Sequence, residues 1–204
     1  MRTTRTHLSS VMLLLLVSGG AMLVAKDRIF VDQWSPTRSV LFIDDADGKN
    51  ARKLVAGLQI DYNDSISFDG QWVVFTSERN GSADIFRVRT NGMGLEQLTD
   101  DAAYDDQAAL SPDGSSLAFV STRDAGSTDI YILDLKTRKI RNLTISPGGD
   151  FRPSWSPDGQ MIAFSSDRGT KFQFSKGRWE HVHAASVYVV RVDGQGLRKL
   201  SPAG

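Results

Sequence analysis

The sequence predicts an all-β protein with the architecture of a β-propeller, and two observations support this. First, a phrase recurs about every 44 residues: residues 75–79 read Phe-Thr-Ser-Glu-Arg, residues 119–123 read Phe-Val-Ser-Thr-Arg, and residues 164–168 read Phe-Ser-Ser-Asp-Arg. Second, no segment after residue 25 keeps apolar residues at helical spacing. A repeat of this length, made of short strands and turns, is typical of propeller blades with four strands each.

Each repeat divides into four predicted strands. The innermost strand is weak and ends in an Asp-Gly turn, where glycine accepts a positive φ without steric cost. The second strand is almost continuously apolar, as in residues 117–120, which indicates that neighbouring blades cover both of its faces. The third strand alternates more, as in residues 85–88, and the fourth is polar, as in residues 95–99. A polar fourth strand suits the exposed outer edge of a blade.

These phrases resemble the propeller repeats of the TolB family, which read Ser-Pro-Asp-Gly, then Ala-Phe-x-Ser-x-Arg, then Asp-Ile-Tyr and Leu-Thr. Here the same anchors follow in that order at residues 111–114, 118–123, 129–131 and 143–144. The resemblance covers roughly residues 28–201. It implies that each repeat is one blade of a propeller ring, and that such a ring usually has six blades. TolB itself has an α/β domain before its propeller, to which no segment here corresponds.

Residues 1–25 are predicted to be a signal peptide, or an N-terminal anchor, outside the propeller. Arg2 and Arg5 precede the apolar run 11–17, and small residues follow it. The run is shorter than the about 20 residues that a spanning helix requires. Removal of the signal would leave a periplasmic or secreted protein without a membrane span.

The propeller is predicted to occupy residues 26–204. The predicted blades are residues 26–57, 58–101, 102–146 and 147–201. The innermost strand of the first blade would fall within the signal peptide, so the chain holds about 3.75 blades of the usual six. We therefore expect an incomplete propeller, from a truncated product or a fragment; a half-ring completed by another copy and a ring of four blades are the alternatives. Open blade faces would favour self-association.

Composition excludes several classes of function. The chain has no cysteine, which excludes disulfides and thiolate metal sites, and its net charge of zero removes the electrostatic argument for binding nucleic acid. No Gly-x-Ser-x-Gly elbow and no phosphate-binding loop is present. We accordingly predict a protein that is not an enzyme, with no cofactor and no metal.

One insertion breaks the repeat and is the predicted binding site. It lies within residues 169–184, joins strands two and three of the last blade, and adds about 12 residues to the usual period. Long insertions on one face of a repeat array are commonly where binding occurs. The alternative is a hairpin extension that buries its own aromatic rings. The predicted binding residues are Phe172, Phe174, Arg178, Trp179, Glu180, His181 and His183.

Two sets of residues have two interpretations each. Glu180, His181 and His183 suit a metal ion, and some lyases with a TolB-like propeller use metal-bound histidines, but a third fixed ligand is lacking. Acidic connections between blades could bind a hard cation, or could simply hydrogen-bond their own turns. These acidic residues are Asp61, Asp64, Asp100, Asp101, Asp105, Asp106 and Asp150.

One arginine ends each Ser-x-Arg triplet, at Arg79, Arg123 and Arg168. The three could form a ring of anion contacts. Their constant position in the repeat instead favours a structural role, in which each packs against the next blade and pairs with a repeat carboxylate such as Asp84 or Asp129.

The sequence therefore predicts an exported, non-enzymatic TolB-like propeller that binds a protein or another component of the cell envelope. The alternative is the propeller portion of an enzyme, either a serine peptidase of the prolyl-oligopeptidase type or a polysaccharide lyase.

Overall fold

The computed structural model describes residues 28–35, 38–57, 59–124, 127–169 and 185–201, and all its regular elements are strands. They are β1 (Arg28–Ser35), β2 (Arg38–Asp45), β3 (Arg52–Lys53), β4 (Asp61–Ile66), β5 (Trp72–Ser77), β6 (Asp84–Arg89), β7 (Glu96–Gln97), β8 (Asp105–Leu110), β9 (Ser116–Ser121), β10 (Asp129–Asp134), β11 (Ile140–Asn142), β12 (Asp150–Trp155), β13 (Met161–Ser166), β14 (Ser186–Arg191) and β15 (Arg198–Lys199).

The strands form four antiparallel sheets in which chain neighbours are also sheet neighbours. Blade 1 is β1-β2-β3, blade 2 is β4-β5-β6-β7, blade 3 is β8-β9-β10-β11 and blade 4 is β12-β13-β14-β15. The inner strand β4 packs against β8, and β8 packs against β12. This arrangement confirms the predicted all-β propeller with four-stranded blades. The predicted signal peptide lies outside the described residues.

The hydrophobic core lies between the blades. In β5, Val73 and Phe75 pack with Leu41 and Ile43 of blade 1, whereas Val74, between them in sequence, packs toward blade 3. Successive residues of a strand point to opposite faces of the sheet, so a strand between two blades is apolar throughout. The prediction that neighbours cover both faces of the second strand is confirmed for β5 and β9.

The third strand differs from its prediction in blade 3. We expected more alternation there, but β10 is buried from Asp129 to Leu133 and only Asp134 is exposed. Ile130 and Ile132 pack toward blade 4, whereas Tyr131 and Leu133 pack toward blade 2. Both faces of β10 are thus covered like those of β9. The outer strand β11 is mostly exposed, as predicted.

The serine before each Asp-Gly turn has a structural role. Ser67, Ser111 and Ser156 each donate from Oγ to an oxygen of the aspartate two residues later, at 2.5, 2.6 and 2.5 Å. Each Oγ also accepts a backbone N–H five residues later, at 2.9 Å. The glycines of these turns have φ of 69–70°, a conformation that glycine adopts without strain.

Candidate functional site

We call the end of the blades at which the inner strands begin the loop face. It carries the connections between strands two and three, and those from each outer strand to the next inner strand. The predicted insertion leaves this face after β13 and returns to it before β14. Its candidate residues lie outside the described residues and stay predictions: Phe172, Phe174, Arg178, Trp179, Glu180, His181 and His183.

A buried ion pair repeats on the loop face of blades 2, 3 and 4. Arg79 donates to Asp61 at 2.9 Å, Arg123 donates to Asp105 at 2.6 Å, and Arg168 donates to Asp150 at 2.6 Å. In each pair the aspartate is the first residue of an inner strand, and the arginine follows the second strand of the same blade. The arginine Nε also donates to the serine that ends that second strand, at 2.9–3.0 Å.

The same arginines lie over aromatic rings of their own blades. The guanidinium carbon of Arg123 is 5.3 Å from the ring centre of Phe119 and 5.4 Å from that of Tyr131. Arg79 and Arg168 repeat this arrangement. Since each guanidinium is held by a carboxylate and two rings, the structural interpretation of these arginines is the better supported one.

The prediction that these arginines pair with carboxylates such as Asp84 or Asp129 is wrong. Asp84 instead accepts from Ser82 at 2.9 Å and from Gln97 at 3.3 Å. Asp129 likewise accepts from Asn142 at 2.9 Å and from the Ser146 backbone at 3.0 Å. Both carboxylates therefore hold the outer connection of their blade.

Burial weakens the acidity of two of the paired aspartates. It raises the pKa of Asp105, and it raises the pKa of Asp150 to about 6. The serine hydroxyls and the arginines act in the opposite direction on the pKa of both groups, but desolvation is the largest cause.

The acidic connections do not converge as free carboxylates. Asp61, Asp105 and Asp150 are paired with arginines, and Asp106 accepts from Thr76 at 2.7 Å and from Asn63 at 2.8 Å. In the part of the chain that the structure describes, no three His, Cys, Asp or Glu side chains lie together in a way that could hold a metal ion. The same part contains no helix long and apolar enough to cross a membrane.

The inner strands carry a repeated bulge that the sequence analysis missed. Asn63, Gln107 and Arg152 have φ of 51°, 52° and 54°, and the pairing register of β4, β8 and β12 shifts at these residues. We call these three residues the bulge strip. A left-handed conformation is unfavourable for residues other than glycine, and least so for Asn and Asp.

The bulge strip links successive blades and leaves polar groups accessible. Asn63 Nδ2 donates to Asp106 of blade 3, and the backbone N–H of Arg152 donates to Gln107 Oε1 at 2.9 Å. Asn63 and Arg152 are exposed and Gln107 is half-buried. Because the three residues differ in type but share one backbone conformation, no motif in the sequence marks them. Only their spacing, equal to the repeat, could have done so.

A chain of hydroxyls and carboxylates joins blades 2 and 3 beside the bulge strip. Tyr62 donates to Glu78 at 3.1 Å, its hydroxyl lies 3.2 Å from that of Tyr104, and Tyr104 donates to Asp106 at 3.2 Å. Burial, followed by the bond to Tyr104, raises the pKa of Tyr62 well above its usual value, so its phenol stays neutral. At the next junction the positions of Tyr62 and Tyr104 are occupied by Asp106 and Gly149, so blade packing does not require this chain.

Comparison with known proteins supports the fold. The sequence profile described as the TolB beta propeller domain matches residues 28–125 and 106–190. A solved structure described as TolB from Agrobacterium tumefaciens superposes with a TM-score of 0.71 at 20% identity, over 85% of this chain and 60% of that one. An oligogalacturonate lyase from Vibrio parahaemolyticus superposes with a TM-score of 0.59 at 14% identity, over 85% of this chain and 49% of that one.

Similarity in sequence to curated proteins is local. An uncharacterized protein of Agrobacterium fabrum is 43% identical over 53 residues, which are 26% of this chain and 18% of that protein. The chain thus spans less than two thirds of the proteins that it matches. The two solved structures are only 20% and 14% identical in sequence to this chain. The superpositions therefore show similarity of fold alone.

Proposed function

Because the chain belongs to the TolB β-propeller family, we propose that it is an exported, non-enzymatic platform that binds a protein or another component of the cell envelope on its loop face. Export rests on Arg2, Arg5 and the apolar run 11–17. The mass of the mature chain tests this part: it should lack the first ~21 to 25 residues, and a mass that includes Met1 would contradict export by signal cleavage.

The bulge strip is the observation that carries the proposal of binding. Each left-handed non-glycine residue costs of the order of 1 kcal/mol, and blades 2, 3 and 4 all keep one at the same place. The backbone there is constant, while the side chain is an amide or a guanidinium. The Asn63 and Gln107 side chains also link neighbouring blades, and a fixed frame that presents different polar groups in addition suits recognition of a specific partner.

The insertion supplies the apolar part of the proposed surface. Phe172, Phe174, Arg178 and Trp179 are of the residue types that dominate the energetics of protein interfaces, and Glu180, His181 and His183 follow them. β13 ends and β14 begins on the loop face, which supports a binding role for the insertion there. Interfaces commonly combine an apolar centre of aromatic anchors with a polar rim.

Binding is tested with the full chain and an extract of the cell envelope of the organism that produces it. Protein captured by the immobilised wild type is identified, purified and titrated against variants. Trp179→Ala should weaken binding by about 30-fold, equal to ~2 kcal/mol, without changing the melting temperature. Met93→Ala is the matched control, since Met93 is exposed on the turn between β6 and β7, at the opposite end of blade 2. The binding site would have to lie elsewhere if Trp179→Ala left the affinity unchanged. The same conclusion would follow if Trp179→Ala lowered stability as much as replacing a core Phe by Ala does.

A lyase is the second candidate, because the fold resembles an oligogalacturonate lyase and the insertion carries Glu180, His181 and His183. Its test is the release of unsaturated product from oligogalacturonate by the wild type in the presence of manganese, the ion bound in another solved oligogalacturonate lyase of similar fold. Activity that His181→Ala abolishes would favour the enzyme, and absence of cleavage would favour the platform.

A further inference from the structure

The end of the blades opposite the loop face, which we call the turn face, exposes two large apolar side chains of blade 2. Phe68 and Met93 are 68% and 65% exposed. Phe68 lies at the tip of the turn between β4 and β5, and Met93 lies at the tip of the turn between β6 and β7. Blades pack on one another through the faces of their sheets, so the two tips are exposed whichever blades adjoin blade 2.

The folding of these turns does not require apolar tips. The position of Phe68 is occupied by Pro112 in blade 3 and by Pro157 in blade 4, although all three turns have the same hydrogen bond from serine to aspartate. The position of Met93 is occupied by Gln195 in blade 4, in a turn that is closed by the same backbone hydrogen bond of 2.9 Å. Blade 2 therefore exposes a phenylalanine and a methionine where the sister turns have proline and glutamine.

Cations from both neighbouring blades flank the turns of blade 2. Arg52 of blade 1 donates to a backbone oxygen of the turn that carries Met93. On the other side, Arg138 of blade 3 donates at 2.7 Å to the carbonyl of the residue that follows β7. Lys136 and Lys139 belong to the same turn as Arg138, and both are exposed. The apolar tips thus lie between two groups of basic side chains.

The carboxylates at this end of blades 2 and 3 are held by their own turns or by an arginine. Asp69, beside Phe68, accepts from Ser67 Oγ at 2.5 Å and from a backbone N–H of its turn at 3.0 Å. Glu96 pairs with Arg87 at 2.6 Å. Asp134 accepts two backbone N–H groups of its turn, at 3.0 and 2.7 Å. These bonds neutralise part of the negative charge near the tips.

We propose that the turn face of blade 2 binds the surface of an anionic phospholipid membrane. Phe68 and Met93 enter the headgroup layer, while Arg52, Lys136 and Lys139 face the lipid phosphates. Exposed apolar side chains mark sites of association, and apolar groups combined with cations bind anionic lipid surfaces. The contact lies at the end of the blades opposite the loop face, so a partner bound on the loop face stays accessible.

The arrangement of the tips favours a lipid surface over a protein partner. Gln71 and Asn91 are exposed polar residues of the same two turns, and a backbone hydrogen bond from Thr90 to Gln71 joins these turns at 2.9 Å. The two apolar tips therefore do not form one continuous patch. A headgroup layer can admit separate tips, whereas the centre of a protein interface is a contiguous region that excludes water.

The first test uses a local probe, because the chain has no cysteine of its own. Met93→Cys and Ile145→Cys are each labelled with an environment-sensitive fluorophore in the full chain. Ile145 is 78% exposed and follows β11 at the opposite end of the blades. Vesicles that contain phosphatidylglycerol should shift the emission of the Met93→Cys label to the blue and leave the Ile145→Cys label unchanged. The local readout is independent of any contact that residues 1–25 make with lipid.

Three results would overturn the proposal: no shift of the Met93→Cys label, an equal shift at Ile145→Cys, or an equal shift with vesicles of phosphatidylcholine alone. A protein from the envelope extract that shifts the Met93→Cys label, when vesicles do not, would assign this face to a protein partner instead.

The second test changes the apolar and the basic part separately in the labelled Met93→Cys chain. Phe68→Pro introduces the residue of the sister turns, so the blade should fold, which a melting curve checks. The lipid concentration that gives half of the shift should rise at least about tenfold. Lys136→Gln combined with Lys139→Gln should also raise it and reduce its dependence on salt. Ile145→Asn is the matched control and should have no effect. Phe68→Pro that binds vesicles like the parent chain would overturn the proposal.

Discussion

Blades 3 and 4 have closely similar repeats but are buried to different degrees. In blade 3, the second strand β9 is buried at every position after Ser116. In blade 4, the second strand β13 alternates between buried and half-buried residues. Ile162 and Phe164 pack against blade 3, while Ala163 and Ser165 face the open side. The burial of a repeat position is therefore set by the adjoining blade as much as by the residue itself.

This comparison separates three kinds of position. Some residues face the preceding blade, some are paired within their own blade, and some face the next blade. Repeat proteins gain stability from each unit and from each contact between neighbouring units. Blades 3 and 4 should then respond alike to changes of the first two kinds and differently to changes of the third.

The largest effect is expected where a residue faces the preceding blade. Phe119→Ala should lower the free energy of unfolding by about 3–5 kcal/mol, the usual cost of removing a buried ring. Phe75 and Phe164 are also at most 2% exposed, so their alanine variants should behave similarly. Urea unfolding measures all three. A change near zero at all three would mean that the assigned blade register is wrong.

The next effect concerns pairs within one blade. Arg123→Leu should cost about 3 kcal/mol, because it leaves Asp105 buried without its cation. Arg168→Leu should cost a similar amount in blade 4, since Asp150 is equally buried. Adding Asp105→Leu to Arg123→Leu should recover part of the loss, and a double-mutant cycle measures how much. A cost in blade 4 far below that in blade 3 would show that the pair depends on the next blade.

The face toward the next blade should distinguish blades 3 and 4. Leu143→Ala should cost about 2–3 kcal/mol and Leu200→Ala less than about 1 kcal/mol, because only Leu143 is covered. The measurement is urea unfolding of both variants and the wild type. Equal costs at the two positions would remove the distinction between covered and open faces.

The last effect is on the pH dependence of stability. The pKa of Asp150 is raised by burial to about 6, above an unfolded value of about 3.9. Its contribution to stability is therefore greatest below pH ~4 and is lost as the pH rises through about 6, with a slope of at most about 1.4 kcal/mol per pH unit.

Asp150→Asn should remove this component from the variant, so the difference in stability between wild type and Asp150→Asn should change with pH, as unfolding at pH 4–7 can show. The pH dependence that Asp113 contributes has the opposite sign. Hydrogen bonds, of which the one from Ser111 has the largest effect, lower the pKa of Asp113. Its contribution is present above its unfolded pKa and lost as the pH falls. The Asp150 prediction fails if the difference between Asp150→Asn and wild type does not change with pH.

The sequence by itself determined the period, the order of strands, the Asp-Gly turns and the apolar second strands. These features depend on local spacing and on side-chain patterns that each blade repeats. The structural role of the arginines also followed from spacing. The predicted binding residues of the insertion, from Phe172 to His183, lie outside the described residues and remain a prediction of the sequence.

Only the tertiary structure decided which groups meet. Arg123 pairs with Asp105 rather than with Asp129, because pairing between β8 and β9 places the start of the inner strand beside the end of the second strand. The left-handed bulge at Gln107 could not be predicted from a glycine, because a glutamine occupies the position. Strand pairing within the blade imposes its conformation. The exposure of Leu200 likewise depends on a neighbouring blade, which a single repeat does not encode.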